Sequence, residues 1–276
     1  MIHPALWSLK TISKNYLGKR KAYMYYLSNE FRRQLLQRVF WYVKGTFDFS
    51  SKEITGPISI VVTGRNDNYG GNFSERLKTT LDWNLSFFPE SELIYIEWNK
   101  IKEKTSDCEW ITSRYSNAYC YIVPNEIHKQ ICTNTKMPMM EYFAKNIGIR
   151  KSKNNWILLI NADVLIALDA IRKMKMLNPK YVYSTHYFNI EWDNEKITET
   201  TFKNKKSIRN IAYASLNLNG VCGNFILTHK KNWINATGYD ESLRDVRAGV
   251  DNNGLFQLLH MGLKPMVLGR HFHLNH

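Results

Sequence analysis

The chain has 276 residues, 44% of them hydrophobic, and a formal net charge of +14. This length suits one large hydrophobic core or two small ones, and we expect one α/β domain with appendages. The apolar runs are all far shorter than the ~20 residues that span a bilayer, and the first residues lack the compact apolar block of a signal peptide. The sequence therefore predicts a cytoplasmic protein without a membrane-spanning helix.

Residues 1–52 carry much of the positive charge. They hold ten Lys or Arg against two acidic residues, a local charge of +8. Within them, apolar side chains recur every four residues from Leu27 to Val43, which predicts an amphipathic helix with Arg32, Arg33 and Arg38 off its apolar face. Such a helix either packs on its own domain, the commoner arrangement, or lies on an anionic membrane surface. Nucleic acid is not an expected partner, because the sequence has no helix-turn-helix, zinc-finger or RNA-binding aromatic signature.

Strand-like and helix-like segments alternate from residue 58 onward. The predicted strands cover 58–63, 92–97, 118–123, 156–160, 181–185, 224–228 and 265–269. The predicted helices cover about 73–88, 139–153, 165–176 and 252–261. Strands and helices that alternate at this spacing indicate a parallel sheet with right-handed crossovers, although the part after residue 187 is less regular.

Two polar residues, Asn161 and Asp163, directly follow the apolar run in "NNWILLINADVLI". A dry, unpaired carboxylate at the end of a strand would cost several kcal/mol, so Asp163 must contact water, a basic group or a cation. The carboxyl ends of the strands are also where open α/β sheets bind ligands. The alternative is that Asp163 caps the helix expected at 165–176. The residues alone leave both interpretations open.

Five stretches together resemble the GT-A-fold glycosyltransferases, close to those of family two. They are the loop "TGRNDNYGG", the strand end "EWN", the segment "AKNIGIRKSKNNWILLINADV", the turn "GYDESL" and the stretch "AGVDNNGLFQLLHMGLK". The resemblance implies an α/β, Rossmann-like GT-A domain at 58–276, with a mainly parallel central sheet flanked by helices. The basic helical extension 1–52, predicted from its charge and apolar spacing, precedes this domain. It also implies transfer of a sugar, with inversion, from a UDP-linked nucleotide-sugar to a glycan or lipid-linked acceptor. Such reactions build surface polysaccharides or other glycans, often at the inner face of a membrane.

A divalent metal ion, Mn²⁺ or Mg²⁺, follows from the same resemblance, because a hard cation neutralises the charge on the departing nucleotide. Asp163 matches the metal-holding last residue of the family's D-x-D motif. Asn161 stands where the family usually has the first Asp, and an amide can bond a ribose hydroxyl but adds no charge. With one carboxylate the site is underfilled, and His273 and His276 of the closing "RHFHLNH" are the expected further ligands.

Nucleotide-sugar recognition, by the same resemblance, falls on the strand ends and on the helix before Asp163. The candidate residues are Thr63, Arg65, Asp67, Glu97, Asn146, Arg150, Asn161, Ala162, Gly223 and Asn224. The alternative for Arg65 and Asp67 is a surface pair with each other, and for Arg150 a surface position.

The expected catalytic base is Asp251, which matches the second acid of the family's E-D pair, with Val250 in place of the Glu. Asp251 would also suit the N-cap of the helix expected at 252–261. Two functions from other classes stay open. A sugar nucleotidyltransferase would share the sheet and the metal, but the loop after the first strand lacks the usual Gly-rich signature with Lys. A non-catalytic protein that binds a nucleotide-sugar or a membrane surface would account for Asn161 and Val250.

Overall fold

The structure, a computed structural model, describes residues 53–193, 196–198, 201, 207–209, 224–242 and 250–275. The basic segment 1–52, Gly223 and His276 lie outside these ranges, and the side chain of Asp251 is also outside the description. The predictions made for them stay predictions. No helix within the described ranges is both long enough and apolar enough to cross a bilayer.

Strands and helices alternate along the chain as far as β5 and become less regular after it. The strands are β1 Glu53–Ile54, β2 Ile58–Gly64, β3 Glu92–Trp98, β4 Ala118–Val123, β5 Trp156–Ile160, β6 Val164–Ile166, β7 Met176–Leu177, β8 Tyr181–Ile190, β9 Ser207–Arg209, β10 Phe225–His229 and β11 Lys264–Leu274. The helices are α1 Phe73–Ser86, α2 Asp107–Arg114, α3 Asn125–Ile131, α4 Glu141–Lys151, α5 Leu168–Lys173, α6 Lys230–Asn235 and α7 Val250–His260.

A large sheet contains most of these strands, in the order β4-β3-β2-β5-β10-β8-β11-β6, and β9 pairs with β8. The four strands from β4 to β5 are parallel to one another. Beyond β5 the directions are mixed, because β10 runs antiparallel to β5 and β8, and β6 runs antiparallel to β11. The parallel sheet that the sequence predicts thus forms one side of a mixed sheet.

The parallel side is covered by helices on both faces. Every residue of β2, β3 and β5 is buried, as is usual for strands between two helical layers. Leu77 of α1 packs in the core on one face, whereas Ala144 of α4 packs on the other with Val61 of β2. Gly148 lets α4 approach closely, since a Cβ there would lie 2.2 Å from the Val61 side chain.

The chain after Asp163 differs from the prediction. Instead of a helix over 165–176, it forms the short strand β6 and then the short helix α5. All three residues of β6 are buried and pair with β11, an environment that favours the β-branched Val164 and Ile166. Asp163 therefore does not cap a helix.

The last strand is also longer than predicted. β11 covers eleven residues, 264–274, and includes the whole segment "RHFHL". Its first part, 264–267, pairs with 181–184 of β8, and its second part, 270–274, pairs with 186–190. The register shift between the two parts places one extra residue in β11, a β-bulge. Gly269 lies in this bulge, where a Cβ would be 2.8 Å from the amide nitrogen of Ala170.

Candidate functional site

The segment 161–163 forms a turn at the carboxyl end of β5. The amide of Asn161 donates a hydrogen bond to the carbonyl of Asn224 at 3.2 Å. The amide of Leu274, at the end of β11, donates to the carbonyl of Asp163 at 3.0 Å. These bonds fix the turn between the beginning of β10 and the end of β11, so the predicted residues Asn161, Asp163 and Asn224 lie together.

Asp163 and His273 converge at this turn. The Nε2 atom of His273 lies 3.3 Å from Oδ2 of Asp163, and the two side chains are 15% and 13% exposed. The Nδ1 atom of His273 lies 3.1 Å from Oδ1 of Asn189, which orients the ring. β11 brings His273 here because it pairs with Val164 of β6 on one side and with Asn189 of β8 on the other.

This pair fits two neighbouring ligands of a divalent metal ion. Two ligand atoms that each lie about 2.1 Å from an octahedral ion are about 3 Å apart, close to the 3.3 Å between Nε2 of His273 and Oδ2 of Asp163. Within the described ranges, no group of three or more His, Cys, Asp or Glu side chains could hold a metal ion. The other coordination positions would therefore be taken by phosphate oxygens of a nucleotide-sugar, by water, or by residues outside those ranges, such as His276.

His271 is the next histidine on the same face of β11 and is fully buried. Its Nδ1 atom lies 2.7 Å from Oγ1 of Thr185, and its Nε2 atom has no hydrogen-bond partner in the described part of the chain. Burial, and to a smaller extent the nearby His273, lower the pKa of His271 to about 3. His271 is therefore neutral at neutral pH and adds no positive charge beside Asp163.

Lys145 places a buried positive charge next to Asn161, and the sequence analysis did not select it. Its Nζ atom lies 2.6 Å from Oε1 of Glu141, and its side chain is 0% exposed. Nζ also donates to Oδ1 of Asn161 at 3.1 Å. Because a lysine only donates, the oxygen of the Asn161 amide must face it, and the NH₂ group of Asn161 is left as a donor. The signal that could have identified Lys145 is its position in "AKN", where the family has an Arg.

Asn146 holds the turn 238–241 in place, whereas the resemblance suggested a nucleotide contact. Its Nδ2 atom donates to the carbonyl of Tyr239 at 3.0 Å and to Oε1 of Glu241 at 2.8 Å. Its Oδ1 atom accepts from the amide of Tyr239 at 2.8 Å. Asn146 is 1% exposed, so its polar atoms are fully used by this turn. Asn146 thus positions this turn, and a contact between Asn146 and a nucleotide stays a prediction.

Arg150 pairs with the same turn from the surface. Its Nη2 atom lies 3.0 Å from Oε1 of Glu241, and its side chain is 59% exposed. The surface position that was the alternative for Arg150 is therefore confirmed.

The loop after β2 is held by its own polar side chains. Arg65 lies 2.9 Å from Oδ2 of Asp67 and also donates to the carbonyl of Asn99 at 2.9 Å. The alternative that Arg65 and Asp67 pair with each other is confirmed, and both side chains are partly exposed. Asn66, which the sequence analysis did not select, accepts from the amide of Ile101 at 2.7 Å. Thr63 is buried near the end of β2.

Glu97 lies near the end of β3, as predicted, but its carboxylate fixes the start of α2. It accepts hydrogen bonds from the hydroxyl of Ser106 and from the amide of Asp107, the latter at 3.2 Å, and it is 0% exposed. Burial raises the pKa of the Asp107 carboxyl, and the charge of Glu97 raises it further. A contact between Glu97 and a nucleotide base would have to displace these bonds, and it stays a prediction.

Two side chains of helix α1 bond to the backbone of the turn 161–163 and of strand β6 after it. The hydroxyl of Thr80 donates to the carbonyl of Ala162 at 2.5 Å. One helical turn later, Asn84 donates to the carbonyl of Val164 at 2.8 Å and accepts from the amide of Ile166 at 2.9 Å. Ala162 is 7% exposed and contributes its carbonyl to this support.

Two surface cavities of about 230 and 320 Å³ are both lined in part by Arg150. Neither is lined by Asp163 or His273. The candidate site is therefore defined by the converging side chains of Asp163 and His273, and not by either cavity. Asp251 lies in the first turn of α7, and its role as a base stays a prediction because its side chain is not described.

No family model and no curated protein matches the sequence, but solved structures match the fold. GalNAc-T7, crystallised with UDP, GalNAc and Mn²⁺, matches with a TM-score of 0.53 and 12% identity, over 80% of this chain and 43% of that one. The mannosyltransferase PcManGT from Pyrobaculum calidifontis, in complex with GDP-Man and Mn²⁺, matches with a TM-score of 0.49 and 12% identity, over 88% of this chain and 67% of that one. This chain thus spans less than half the length of the GalNAc-T7 structure. The likeness to GalNAc-T7 shows a GT-A-like α/β fold, and the fold predicted from the sequence is confirmed.

Proposed function

We propose that the chain is a metal-dependent glycosyltransferase that moves a sugar from a UDP-linked donor to a glycan or lipid-linked acceptor. The observation that carries this proposal is the convergence of Asp163 and His273 at the carboxyl end of β5, in a GT-A-like fold. When bound, the metal ion would neutralise the charge that develops on the departing nucleoside diphosphate. An imidazole ligand favours Mn²⁺ over Mg²⁺, because Mg²⁺ prefers oxygen ligands.

Two buried cations of the chain support the binding of an anionic donor at the same place. Lys145 donates to Asn161, and Arg76 is fully buried on α1, where burial lowers its pKa and the charge of Asp163 partly raises it again. Both cations act from a region shielded from water, where a charge influences its neighbours more strongly than on the surface. The NH₂ group of Asn161 is a suitable donor to a ribose or phosphate oxygen of the nucleotide.

We assign to Asp251 the removal of the proton from the acceptor hydroxyl, in a single displacement that inverts the sugar. Its position at the start of α7 and its match to the family's acidic pair support this role. Asp251→Asn should lower turnover by about 10²- to 10⁴-fold, with donor binding unchanged in calorimetry. Near-normal turnover by this variant would exclude Asp251 as the base.

We also propose that the basic segment 1–52 holds the enzyme at the inner, anionic face of a membrane, where a lipid-linked acceptor in surface glycan synthesis would lie. The local charge of +8 supports this, since each Lys or Arg near such a surface contributes ~1 kcal/mol. In vesicle co-sedimentation, binding should need anionic lipid, weaken with salt and fall when Arg32, Arg33 and Arg38 are all changed to Gln. A full-length chain that ignores these vesicles at low salt would rule the proposal out.

The direct test is nucleotide release across a panel of UDP-sugars and GDP-sugars, with Mn²⁺, with Mg²⁺ and with a chelator. A glycosyltransferase should release UDP from at least one donor in a metal-dependent manner. A sugar nucleotidyltransferase would instead release pyrophosphate from a nucleoside triphosphate and a sugar phosphate. A non-catalytic protein would bind a donor without releasing nucleotide, and either of these results would contradict the proposed function.

A further inference from the structure

Helix α4 bonds to two separate parts of the molecule through neighbouring side chains. Lys145 donates to Asn161 at the carboxyl end of β5, whereas Asn146 bonds to the turn 238–241. The two side chains are 0% and 1% exposed, so both connections are buried. The proposed function does not explain the second connection, because the turn 238–241 contains none of the predicted site residues.

Asn146 fixes the backbone of Tyr239 with both ends of its amide. Its Oδ1 atom accepts from the amide of Tyr239 at 2.8 Å, and its Nδ2 atom donates to the carbonyl of Tyr239 at 3.0 Å. Gly238 allows this close approach, since its φ is +79° and a Cβ there would lie 2.3 Å from Oδ1 of Asn146. The place of Tyr239 relative to α4 is therefore set by two short bonds.

The ring of Tyr239 extends this connection to α7. Tyr239 is 2% exposed and packs beside Trp233, with the two ring centroids 5.0 Å apart. Gly254 of α7 faces the ring, because a Cβ at Gly254 would lie 2.3 Å from Cε1 of Tyr239. Leu255 and Leu258 of the same helix pack in the same core. The ring thus fills a notch in α7 that exists because Gly254 has no side chain.

We propose that Asn146 and Tyr239 are positioning residues for the first turn of α7. They hold this helical turn, which contains Asp251, in place relative to the turn 161–163. Gly254 lies about one helical turn after Asp251, so a shift of α7 at the notch would move both. The benefit to catalysis rests on the proposed function, whereas the connection from α4 to α7 does not.

The connection is tested without substrate, by hydrogen exchange followed by mass spectrometry. Asn146→Leu nearly keeps the size of the side chain but removes its bonds to Tyr239, so the amides of α7 should exchange about tenfold faster or more. Arg150→Gln is the matched control, because it removes the surface ion pair with Glu241 on the same helix and turn but no bond to Tyr239. Exchange of α7 that is equal in Asn146→Leu and in the unmodified chain would overturn the connection.

Gly254→Ala tests the same connection from the side of α7 and keeps it falsifiable if Asn146→Leu does not fold. The added Cβ would displace the ring of Tyr239, so the amides of 236–241 should exchange about tenfold faster. Alanine favours a helix more than glycine does, so a general loosening of α7 is not expected. Phe256→Ala is the control, because Phe256 is 43% exposed on the same helix. Unchanged or slower exchange of 236–241 in Gly254→Ala would overturn the connection.

The effect on catalysis is tested by measuring turnover and donor affinity separately. Asn146→Leu should lower the turnover number for nucleotide release about tenfold to hundredfold, as expected when a reacting group is misplaced. Calorimetry with UDP and Mn²⁺ should give an unchanged Kd, because Asn161 keeps its bond from Lys145. If Asn146 instead contacted the nucleotide, UDP affinity would fall together with turnover, and that result would overturn the positioning role.

A double variant decides whether the loss of turnover passes through Asp251. In the Asp251→Asn background, Asn146→Leu should cause little further loss, because a residue that acts only through the base has nothing left to position. The same loss in both backgrounds would overturn the positioning of Asp251.

Near-normal turnover by Asp251→Asn would overturn the assigned base, and an unmodified chain that releases no nucleotide would overturn the proposed function. The exchange measurements need neither result. They would still decide whether α4 holds α7 through Tyr239, so the failures are distinguishable.

Discussion

The two sides of the sheet differ in how their strands come together. From β4 to β5 the strands are parallel, alternate with helices and have no strand from the later part of the chain between them. From β10 to β6 the directions are mixed, and β11 pairs with strands that lie about a hundred residues earlier in the chain. The candidate site lies where the two sides meet, since Asp163 follows β5 and His273 belongs to β11. The first side thus provides a rigid scaffold, and the chemistry depends on long-range pairing in the second.

The largest effect is expected where the two sides meet. Asp163→Asn removes the carboxylate of the candidate metal site, and we expect a loss of transfer of about 10³-fold or more, with weaker Mn²⁺-dependent nucleotide binding. The folded structure should persist, because the turn is held by backbone bonds to Asn224 and Leu274. Transfer assays and calorimetry with UDP would measure both effects. Unchanged metal dependence of UDP binding would exclude Asp163 as a ligand.

The next largest effect is expected from a change in β11, which belongs to the mixed side of the sheet. His273→Asn should weaken Mn²⁺ binding about tenfold or more while the protein stays folded. His229→Asn is the control, because His229 pairs with Trp156 at the opposite end of the β10 and β5 pair. Equal Mn²⁺ affinity in the two variants would contradict the ligand role. Removal of the last four residues is not a clean test, since it also removes the fully buried Leu274.

A smaller effect is expected on the scaffold side. Gly148→Ala would place a Cβ 2.2 Å from the side chain of Val61, so α4 or β2 must shift. We expect a loss of about 1–3 kcal/mol in the free energy of unfolding, measured with urea. Gly56→Ala is the control, because a Cβ there meets nothing within 4 Å. Similar stabilities for the two variants would show that this close approach is not needed.

The smallest effect is a dependence of stability on pH, again on the scaffold side. The indole of Trp98 donates to Nδ1 of His128 at 3.0 Å. Burial lowers the pKa of His128, and the nearby charge of Arg65 lowers it further. The folded state therefore favours neutral His128. The contribution of this neutral histidine to the free energy of unfolding is complete above the unfolded pKa of about 6.5, and it is lost as the pH falls through the lower folded pKa. The stability lost between pH 7.5 and pH 5.5 should be smaller in His128→Gln than in the unmodified chain, and equal losses would contradict this.

The contrast between the two sides also explains what the sequence could predict. Continuous apolar runs identified β2, β3 and β5, because strands buried on both faces need no alternation. The helix predicted over 165–176 was wrong in its first part. The run "VLIALDAIRKM" continues into a helix, and the pairing of β6 with β11 leaves no local trace in the sequence. The position of Asp163 directly after the apolar run made it a candidate, and the family resemblance then suggested its metal role and added His273.

Buried cations were the residues that the sequence reasoning missed. Lys145 and Arg76 are both fully buried, whereas charged residues in amphipathic helices are normally expected on the exposed face. The hydrogen bonds of Lys145 to Asn161 and of Arg76 to the carbonyl of Tyr69 are seen only in the folded structure. The bonds of Asn146 to Tyr239 and Glu241 could not be predicted from the sequence either, because both residues lie far along the chain.

The bulge in β11 makes the site sensitive to chain length. Between Val267 and Arg270, β11 has one residue more than the facing part of β8, so a one-residue deletion there would remove the bulge and leave 270–274 opposite 186–190. A bulge bends its strand and increases the local twist, so without it His273 would approach Asp163 at a different angle. An insertion that instead moved 270–274 by one residue along β8 would turn His273 to the other face of the sheet, because successive side chains point to opposite faces. Insertions and deletions in this short stretch should therefore be tolerated far less than the same changes in a surface loop.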